Sequence, residues 1–474
     1  MKCNLTRLVR CVIIVVIAIL TINFAIFLKS PQGPTGLGFE DGFLPVFRRF
    51  GDSRHRTVQP TTAAPLKLNS TTTCPGLQMM QPPTQQQFQA VVAPSLYIYS
   101  AFQHEDTVII IAVLEPSSAV KELTCQLWFK VKGQEPLVLA TPTVESLPEN
   151  HDRRYTSVLI HCPLPDHTRN KTIYAVSLTN DDRCGTPSNL LLVPGPSKLS
   201  SQFTICITPL NYRYSRAYEL VEMIEMNKIL GAQKFVFYNH TTGPNVDKVL
   251  EMYSRTSEVE VHPWHLPMKT DTWPPTGEPE VHYFAQMAAL NDCLYRHKNS
   301  SKYLVFNDLD EFIIPYKHDN WSQLIAHRLR GNAMSAAFHF KCIFFRKEWQ
   351  KSSKQFEVVA EKYKSVILRH TMRESEYLPY GTRSKYIINP KLTSIVGVHQ
   401  VWKISGNVDS VPENEASLHH YRTWERPDDP QPRVQDDRTI SKFGSRLAGR
   451  LQEVWSRLDG VPMDINISTY GDHV

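Results

Sequence analysis

Two aspartates separated by a single residue, Asp308 and Asp310, are the most distinctive chemical feature of this sequence. They follow the apolar run KYLVFN and, with Glu311 after them, precede the apolar run FIIP. In an extended chain the two side chains point the same way. Hard carboxylate oxygens suit Mg²⁺ or Mn²⁺, which keep open positions for diphosphate oxygens. An isolated Asp-x-Asp triplet more often marks a solvated acidic turn, but carboxylates between apolar runs need partners. The context therefore predicts a divalent-metal site.

Other segments contain groups that could complete such a site: Asn211, Tyr212, Arg383, Lys385, His399 and His420. The two cations of the TRSK segment suit phosphate oxygens, although a solvated loop would look the same. The two histidines could bind a metal or act as a general base, but a lone histidine is more often structural. Asn211 and Tyr212, shortly after the FTICITP run, could bind the base of a nucleotide. The segment HPWHLP could line a sugar pocket, although aromatic packing is the commoner reason for such a segment.

Alternating strands and helices, from Phe203 onward, would position these groups. The predicted strands are FTICITP, Lys234–Tyr238, Glu258–Val261 and Lys302–Asn307, and the predicted helices are Arg213–Leu230, Val246–Tyr253 and Tyr283–Tyr295. This alternation predicts an α/β domain over residues 201–465 with a mostly parallel sheet covered on both faces. Ligands of such sheets bind beyond the carboxyl ends of the strands, where the Asp-x-Asp motif lies.

A different pattern precedes this domain. Residues 95–196 contain short runs rich in β-branched and aromatic residues, separated by Pro and Gly. They predict a small β-rich accessory domain. No chemical motif stands out in it, so we interpret it as a structural or spacing module.

The amino-terminal segment 11–28 reads CVIIVVIAILTINFAIFL, without a charge, and is just long enough to cross a bilayer as a helix. Lys2, Arg7 and Arg10 precede it, so residues 1–10 are expected in the cytosol and the remainder in the lumen. A cleaved signal peptide is the alternative, but its apolar core would be shorter. Residues 29–90, rich in Pro, Thr and Gln, predict a flexible stem.

Composition excludes several classes of protein. The 474 residues, 42% of them hydrophobic, suffice for two or three domains. A net charge of +6 without a dense basic stripe gives no support for nucleic-acid binding. The nine cysteines include no CxxC pair, which argues against a zinc module. Several would pair in an oxidising compartment, and an odd number leaves at least one free or intermolecular.

Eight segments of the second region occur in a characteristic order: FTICITPLNYR, FVFYNHTTG, VEVHPW, HYFAQMAALNDCLYRH, KYLVFNDLDEFIIP, RSKYIINP, GVHQVW and LHHYR. In this order they resemble glycosyltransferase family 92 from Thr204 to Arg422. The resemblance implies a GT-A-like fold, Mn²⁺ and an inverting transfer of galactose from UDP-galactose. The chain looks most similar to the vertebrate-type β-1,4-galactosyltransferase members, which act on galactose-terminated N-glycans.

The same resemblance implies roles for individual residues. The metal motif falls on Asp308 and Asp310, and His399, Arg383 and Lys385 fall on later motifs of the family. A base must still deprotonate the acceptor hydroxyl, and the sequence leaves five residues open for this role: Glu311, His399, His420, Asp436 and Asp437.

Two alternatives to this function remain open. One is a lumenal transferase with a different donor or a retaining mechanism, and the other is a non-catalytic carbohydrate-binding ectodomain. A hydrolase is less compatible with the sequence, since no paired-carboxylate or nucleophile motif stands out. The short anchor, the stem and the family resemblance together lead us to expect a single-pass type II protein of the Golgi membrane.

Overall fold

The computed structural model describes residues 74, 77–116, 120, 122–130, 137–168, 171–272, 274–349, 354–423 and 432–465. The predicted tail and membrane anchor lie outside these residues, as does most of the predicted stem. Within the part that is described, no helix has the length and apolar character needed to cross a membrane.

The first region is built from strands alone, apart from a 3₁₀ turn at Asp166–Thr168. Its strands are β1 Gln89–Val92, β2 Leu96–His104, β3 Thr107–Leu114, β4 Leu123–Phe129, β5 Leu137–Ala140, β6 Thr143–Ser146, β7 Thr156–Pro163, β8 Ile173–Asn180 and β9 Leu191–Leu192. They form two antiparallel sheets, in the orders β1-β2-β3-β7-β6 and β5-β4-β8-β9. Alternate apolar residues of both sheets pack into one core, among them Ile110, Leu127 and Ile160.

Some of the last residues of the predicted stem contact this region. Cys74 is bonded to Cys184, and Met79 and Met80 pack against the cluster around Trp128. Both methionines are partly buried, and the apolar surface that they bury helps to offset the entropy of ordering this part of the chain.

The second region contains helices and strands in alternation, followed by a strand-rich part. Its strands are β10 Ser201–Cys206, β11 Lys234–Asn239, β12 Val259–Pro263, β13 Ser301–Phe306, β14 Glu311–Pro315, β15 Ser335–Phe340, β16 Cys342–Arg346, β17 Met372–Glu374, β18 Lys385–Ile388, β19 Thr393–Val396, β20 Val401–Ile404, β21 Asn407–Val411, β22 Ala416–Arg422 and β23 Arg433–Gln435. Its helices are α1 Ala217–Leu230, α2 Pro244–Ser254, α3 Gln286–His297, α4 Trp321–Gly331, α5 Glu357–Lys362, α6 Val366–Arg369 and α7 Arg438–Arg457, with 3₁₀ turns at His282–Ala285 and Pro390–Leu392.

The main sheet has the order β12-β11-β10-β13-β18-β15-β21. The first four strands are parallel, as predicted, but β18 runs antiparallel to both β13 and β15. Strands β15 and β21 run in the same direction as these four, so the sheet is mostly parallel, as predicted, and becomes mixed through the reversed strand β18. The sequence missed this because the direction of a short buried strand such as KYII is not encoded in its apolar pattern. The result is an α/β fold in which a second sheet, β14-β22-β16, adjoins the main one.

Side chains of the two regions pack together in one hydrophobic cluster. Tyr99 and Ile109 of the first region pack in one cluster with Trp264 and the buried face of α3. A disulfide between Cys206 and Cys293 ties β10 to α3, and another joins Cys125 to Cys162 within the first region. Of the cysteines that the structure describes, Cys342 is free, and it is buried. The expectation of several disulfides with one cysteine left over is thus confirmed for the described residues.

Candidate functional site

The predicted site lies at one edge of the main sheet. The parallel strands β12, β11, β10 and β13 all end there, and Asp308 comes two residues after the last residue of β13. Strand β18 begins at this edge because it pairs antiparallel with β13, with Tyr386 opposite Phe306. Lys385, the first residue of β18, is thereby brought beside Asp308. The pairing of β14 with β22 places Glu311 opposite His420 in the same way.

The carboxylate of Asp308 is held by two donors. Thr208 Oγ1 donates to Oδ1 at 2.9 Å, and Lys385 Nζ donates to Oδ2 at 2.8 Å. Burial opposes ionisation, but the Lys385 ammonium outweighs it and holds the pKa of Asp308 below its usual range. Asp308 is therefore an ionised group in a fixed orientation.

Glu311 and Lys385 lie beneath the two aspartates. The Glu311 side chain is only 1% exposed, and its Oε2 lies 3.4 Å from Lys385 Nζ and accepts a hydrogen bond of 2.8 Å from the Asp308 N–H. Burial raises the pKa of Glu311, whereas the pKa of Lys385 is raised, against the effect of its own burial, by Asp308 and Glu311. An acceptor hydroxyl would arrive from solvent, so this burial weighs against Glu311 as the base and favours a supporting role.

Asp310 is more open than these two residues. Its side chain is 26% exposed, and Oδ2 lies 3.4 Å from Nε2 of His420. Burial again opposes ionisation, but His420, Lys347 and Arg422 together hold the pKa of Asp310 well below its usual range. The carboxylate is thus ionised, accessible and bordered by cations.

His399 belongs to the turn between β19 and β20. Burial and the neighbouring Lys385 lower its pKa to about 3, so the ring is neutral at physiological pH. The charges that act on it include those of Asp308 and Arg383, which places it at the same edge of the sheet. The ring is hydrogen-bonded to the backbone of Ser384, and its Nδ1 is buried with no hydrogen-bond partner. A neutral imidazole with one nitrogen bonded and the other free is the usual state of a metal-binding histidine.

The side chains at this edge are of types that bind a divalent metal, but they are not grouped as closely as the ligands of a complete metal site. Asp310 offers an accessible carboxylate and His399 an unpartnered ring nitrogen, whereas both oxygens of Asp308 already accept hydrogen bonds. Among the described residues, no three His, Cys, Asp or Glu side chains are grouped closely enough to hold a metal. The Asp308 side chain is 34% exposed and that of Asp310 is 26% exposed, so both carboxylates can be reached, and the two hydrogen bonds that hold Asp308 favour Asp310 as the ligand.

The remaining candidates for donor binding lie around this edge. Arg383 has a left-handed backbone, and its guanidinium lies 6.0 Å from the centre of the Phe344 ring. Tyr212, at the end of β10, packs edge-on against Phe284 with ring centres 5.2 Å apart. Asn211 is half-buried in the same turn, where its carbonyl accepts from the Tyr214 N–H. The structure thus puts the predicted base-binding residues at the carboxyl end of β10, on the edge that carries Asp308.

Some residues that the sequence singled out have structural contacts instead. The Trp264 side chain is fully buried and packs against Tyr99 and Tyr238, so the HPWHLP segment lines no pocket with it. Asp436 accepts hydrogen bonds from Arg373 and Arg438, which hold its pKa well below its usual range and make it a poor base. At these two positions, burial and pairing account for the residue without a role in chemistry having to be invoked.

Two residues of the site, Thr208 and Lys347, escaped the sequence analysis. Thr208 lies between FTICI and the predicted base-binding turn, and Lys347 follows β16, far from the acidic motif along the chain. A single threonine or lysine carries no signal until the fold brings it to a carboxylate. The position of Thr208 directly beyond the first parallel strand was the one available indication.

Sequence comparisons with known proteins point to one family. The family model described as glycosyltransferase family 92 matches residues 201–452. Among curated proteins, the β-1,4-galactosyltransferase galt-1 of Caenorhabditis elegans is 27% identical over 180 residues, 35% of this chain and 40% of that protein. A glycosyltransferase family 92 protein of the same organism is 23% identical over 218 residues, 45% of this chain and 41% of its own length. The chain thus spans about 40% of the length of these relatives.

Solved structures show only a distant likeness. A crystal structure of S. aureus TarS has 12% identity and a TM-score of 0.26, covering 47% of this chain and 60% of that one. Glucosyl-3-phosphoglycerate synthase from Mycobacterium tuberculosis, in complex with Mn²⁺, uridine diphosphate and glucosyl-3-phosphoglycerate, has 11% identity and a TM-score of 0.23, covering 55% and 81%. Scores this low support no inference about the site.

Proposed function

The chain belongs to glycosyltransferase family 92, and from that premise we propose that it transfers galactose from UDP-galactose to galactose-terminated N-glycans with the help of Mn²⁺ or a similar metal. The observation that carries the proposal is the accessible, ionised Asp310 bordered by Lys347, Arg422 and His420 at the carboxyl edge of the parallel strands. A carboxylate for a metal beside cations for phosphate is what a nucleoside diphosphate requires.

The described side chains divide the work of such a transfer. Lys347, Arg422 and Arg383 supply positive charge for the diphosphate oxygens, and Asp310 with His399 would hold the metal. Bound there, the metal would neutralise charge that develops on the leaving diphosphate. Thr208 and Lys385 keep Asp308 ionised and oriented. We also propose that the α/β domain is GT-A-like, because the chain belongs to this family and its acidic edge suits a nucleoside diphosphate.

Burial and pairing reduce the number of candidates for the base that deprotonates the acceptor hydroxyl. A pKa of about 3 makes His399 a weak proton acceptor near neutral pH, which favours its role as a ligand. Glu311 is buried, and Asp436 is paired with arginines. Of the five residues left open by the sequence, His420 and Asp437 remain. His420 lies at the acidic edge, 3.4 Å from Asp310, and its side chain is 9% exposed against 1% for Glu311, so we propose it as the base.

We further propose that the protein is a single-pass type II protein of the Golgi membrane. The apolar segment 11–28 and the basic residues before it support this orientation. The three disulfides support an oxidising compartment for the remainder of the chain.

Sugar transfer by the full chain tests the function directly. We expect transfer from UDP-galactose to a galactose-terminated N-glycan in the presence of Mn²⁺, and loss of transfer when the metal is chelated. A panel of other nucleotide sugars, with the anomeric configuration of the product, separates a transferase that uses another donor or retains configuration. Glycan binding without turnover from any donor, indifferent to Mn²⁺, would instead establish a non-catalytic binding domain. Any shorter chain must retain Cys74, because its loss would leave Cys184 unpaired.

A further inference from the structure

The segment between β6 and β7, in the β-rich first region, contacts a turn of the second region through Glu149. Glu149 Oε1 accepts a hydrogen bond of 2.7 Å from the indole N–H of Trp402, and Oε2 accepts one of 3.3 Å from the backbone N–H of Val398. These two donors lie on either side of His399. The carboxylate therefore spans the turn that carries the histidine.

The second region holds the same turn by its backbone. His339 donates to the carbonyl of His399 at 2.9 Å, and Tyr386 donates to the carbonyl of Gly397. Asn291 makes two hydrogen bonds to the backbone of Val396. The hydrogen bonds of Glu149 thus fix the turn from the first region, in addition to those made by β15, β18 and α3 of the second region.

The turn has no spare room at its centre. A Cβ placed on Gly397 would overlap both the Glu149 carboxylate and the Trp402 indole. Because the three groups are in contact, a change in the position of the Glu149 carboxylate must move the turn or the indole.

His399 transmits this constraint to the acidic edge of the sheet. The charges of Lys385, Asp308 and Arg383 act on its ring, which therefore lies near the acidic edge. Its Nδ1, which has no hydrogen-bond partner, is the atom that would bind the metal. The orientation of that ring depends on the backbone of the turn, which Glu149 fixes at Val398, the preceding residue.

We propose that Glu149 is a positioning residue for the transfer site and that the β-rich region completes this site, an inference that rests on the proposed function. The region is accordingly a working part of the enzyme, in contrast to the spacer that its sequence indicates. Glu149 touches no substrate in this proposal; it acts by fixing where His399 points.

Glu149→Gln tests the proposal with little change in shape. Glutamine keeps one acceptor oxygen, but its NH₂ group must face either the indole N–H or the Val398 N–H, so one hydrogen bond is lost and two donors confront each other. We expect kcat to fall by about tenfold, the range found when a partner that orients a ligand is removed, and the Mn²⁺ concentration for half-maximal activity to rise. The KM for the acceptor should not change.

Two further variants make the result specific. Glu145→Gln removes an ion pair of 3.1 Å to Lys403, which joins the same two regions on the same strand β20 but outside the turn, and it should alter kcat by less than about twofold. Adding Trp402→Phe to Glu149→Gln removes the opposing indole donor. The remaining amide oxygen can then accept from Val398, so the double variant should recover part of the lost kcat. A purely structural tie predicts no such recovery.

Hydrogen exchange of residues 396–402 provides a readout that needs no turnover. We expect faster exchange in Glu149→Gln than in the wild-type chain or Glu145→Gln. Equal exchange in the two variants, or a kcat for Glu149→Gln equal to that for Glu145→Gln, would overturn the proposal. If the wild-type chain transfers no sugar, the proposed function fails, and the exchange data still decide whether Glu149 holds the turn.

Discussion

Two aspartates from neighbouring motifs, Asp292 of NDCL and Asp310 of DLDEF, have opposite environments in the fold. Asp292 is fully buried on α3, where Tyr238 donates to it at 2.6 Å and Arg296 donates at 2.9 and 3.1 Å. Ser100 of the β-rich region donates to it as well. Asp310 remains 26% exposed, with His420 at 3.4 Å. Each carboxyl has a pKa below its usual range, but only Asp310 has an oxygen accessible to a ligand.

The comparison shows that charge and burial alone do not mark a functional acid. Both oxygens of Asp292 accept hydrogen bonds from groups inside the protein, so the carboxylate has no oxygen left for a ligand. Its interactions stabilise the junction of the two regions. Asp310 is kept ionised by its neighbours His420, Lys347 and Arg422 while its side chain still reaches solvent. Replacing each aspartate by asparagine should therefore affect different properties.

The largest effect is expected on stability, from Asp292→Asn. The change leaves the Arg296 guanidinium, whose side chain is 18% exposed, without its counter-ion, and we expect a loss of about 3 kcal/mol of unfolding free energy, the lower end of the range for a broken buried pair. The unfolding transition of the full chain, followed by circular dichroism, measures the loss. Asp310→Asn is the matched variant and should shift it by less than about 1 kcal/mol, because the side chain reaches solvent. Similar shifts for both variants would contradict the distinction.

The next effect is on turnover, from Asp310→Asn. Asparagine keeps the shape but removes the charge that a metal requires, so we expect kcat to fall by more than about a hundredfold, beyond the cost of losing an orienting partner. Transfer at saturating UDP-galactose and Mn²⁺ is the measurement. Asp319→Asn, at a carboxylate that is 74% exposed a few residues downstream, should change turnover by less than about twofold. Normal turnover by Asp310→Asn would rule out the metal role.

Glu222 adds a third kind of acid to the comparison, buried among neutral donors. It accepts hydrogen bonds from Ser365 and from the N–H groups of Val366 and Ile367 at the start of α6, and burial raises its pKa to about 7. The folded state thus retains a proton between the ordinary value of 4.5 and about 7 that the unfolded chain has lost. Its contribution to stability is therefore present below pH 4.5 and decreases as the pH rises through that window.

Glu222→Gln tests this pH dependence. The amide cannot titrate, so the fall in stability between pH 4.5 and 7 should be shallower than in the wild-type chain. Unfolding midpoints measured across this range give the slope. Asp292→Asn serves as the contrast, because Arg296 holds the pKa of Asp292 below this window and its replacement should leave the slope there unchanged. Identical slopes for Glu222→Gln and the wild type would show that Glu222 is ionised throughout.

Local patterns in the sequence predicted the strand–helix order and the position of Asp308 beyond β13, because a buried strand and its acidic end are adjacent in the chain. They did not predict that Lys385 would contact Asp308, since this depends on the reversed direction of β18. The contact of Glu149 with the His399 turn joins residues 249 apart along the chain. Such contacts follow from sheet topology and from packing between regions, which periodicity and composition do not specify.

The smallest expected effect concerns Thr208, which orients Asp308 without touching any other carboxylate of the site. Thr208→Val keeps the volume but removes the hydroxyl that donates to Asp308 Oδ1 at 2.9 Å. A hydrogen bond to an ionised carboxylate is worth about 1.5 kcal/mol at the lower end of its range, so kcat/KM for the donor should fall by roughly tenfold. Thr208→Ser retains the donor and should match the wild type. Because Lys385 still holds the other oxygen at 2.8 Å, the loss should stay well below that of Asp310→Asn. Equal losses for Thr208→Val and Asp310→Asn would mean that transfer depends on Asp308 as much as on Asp310.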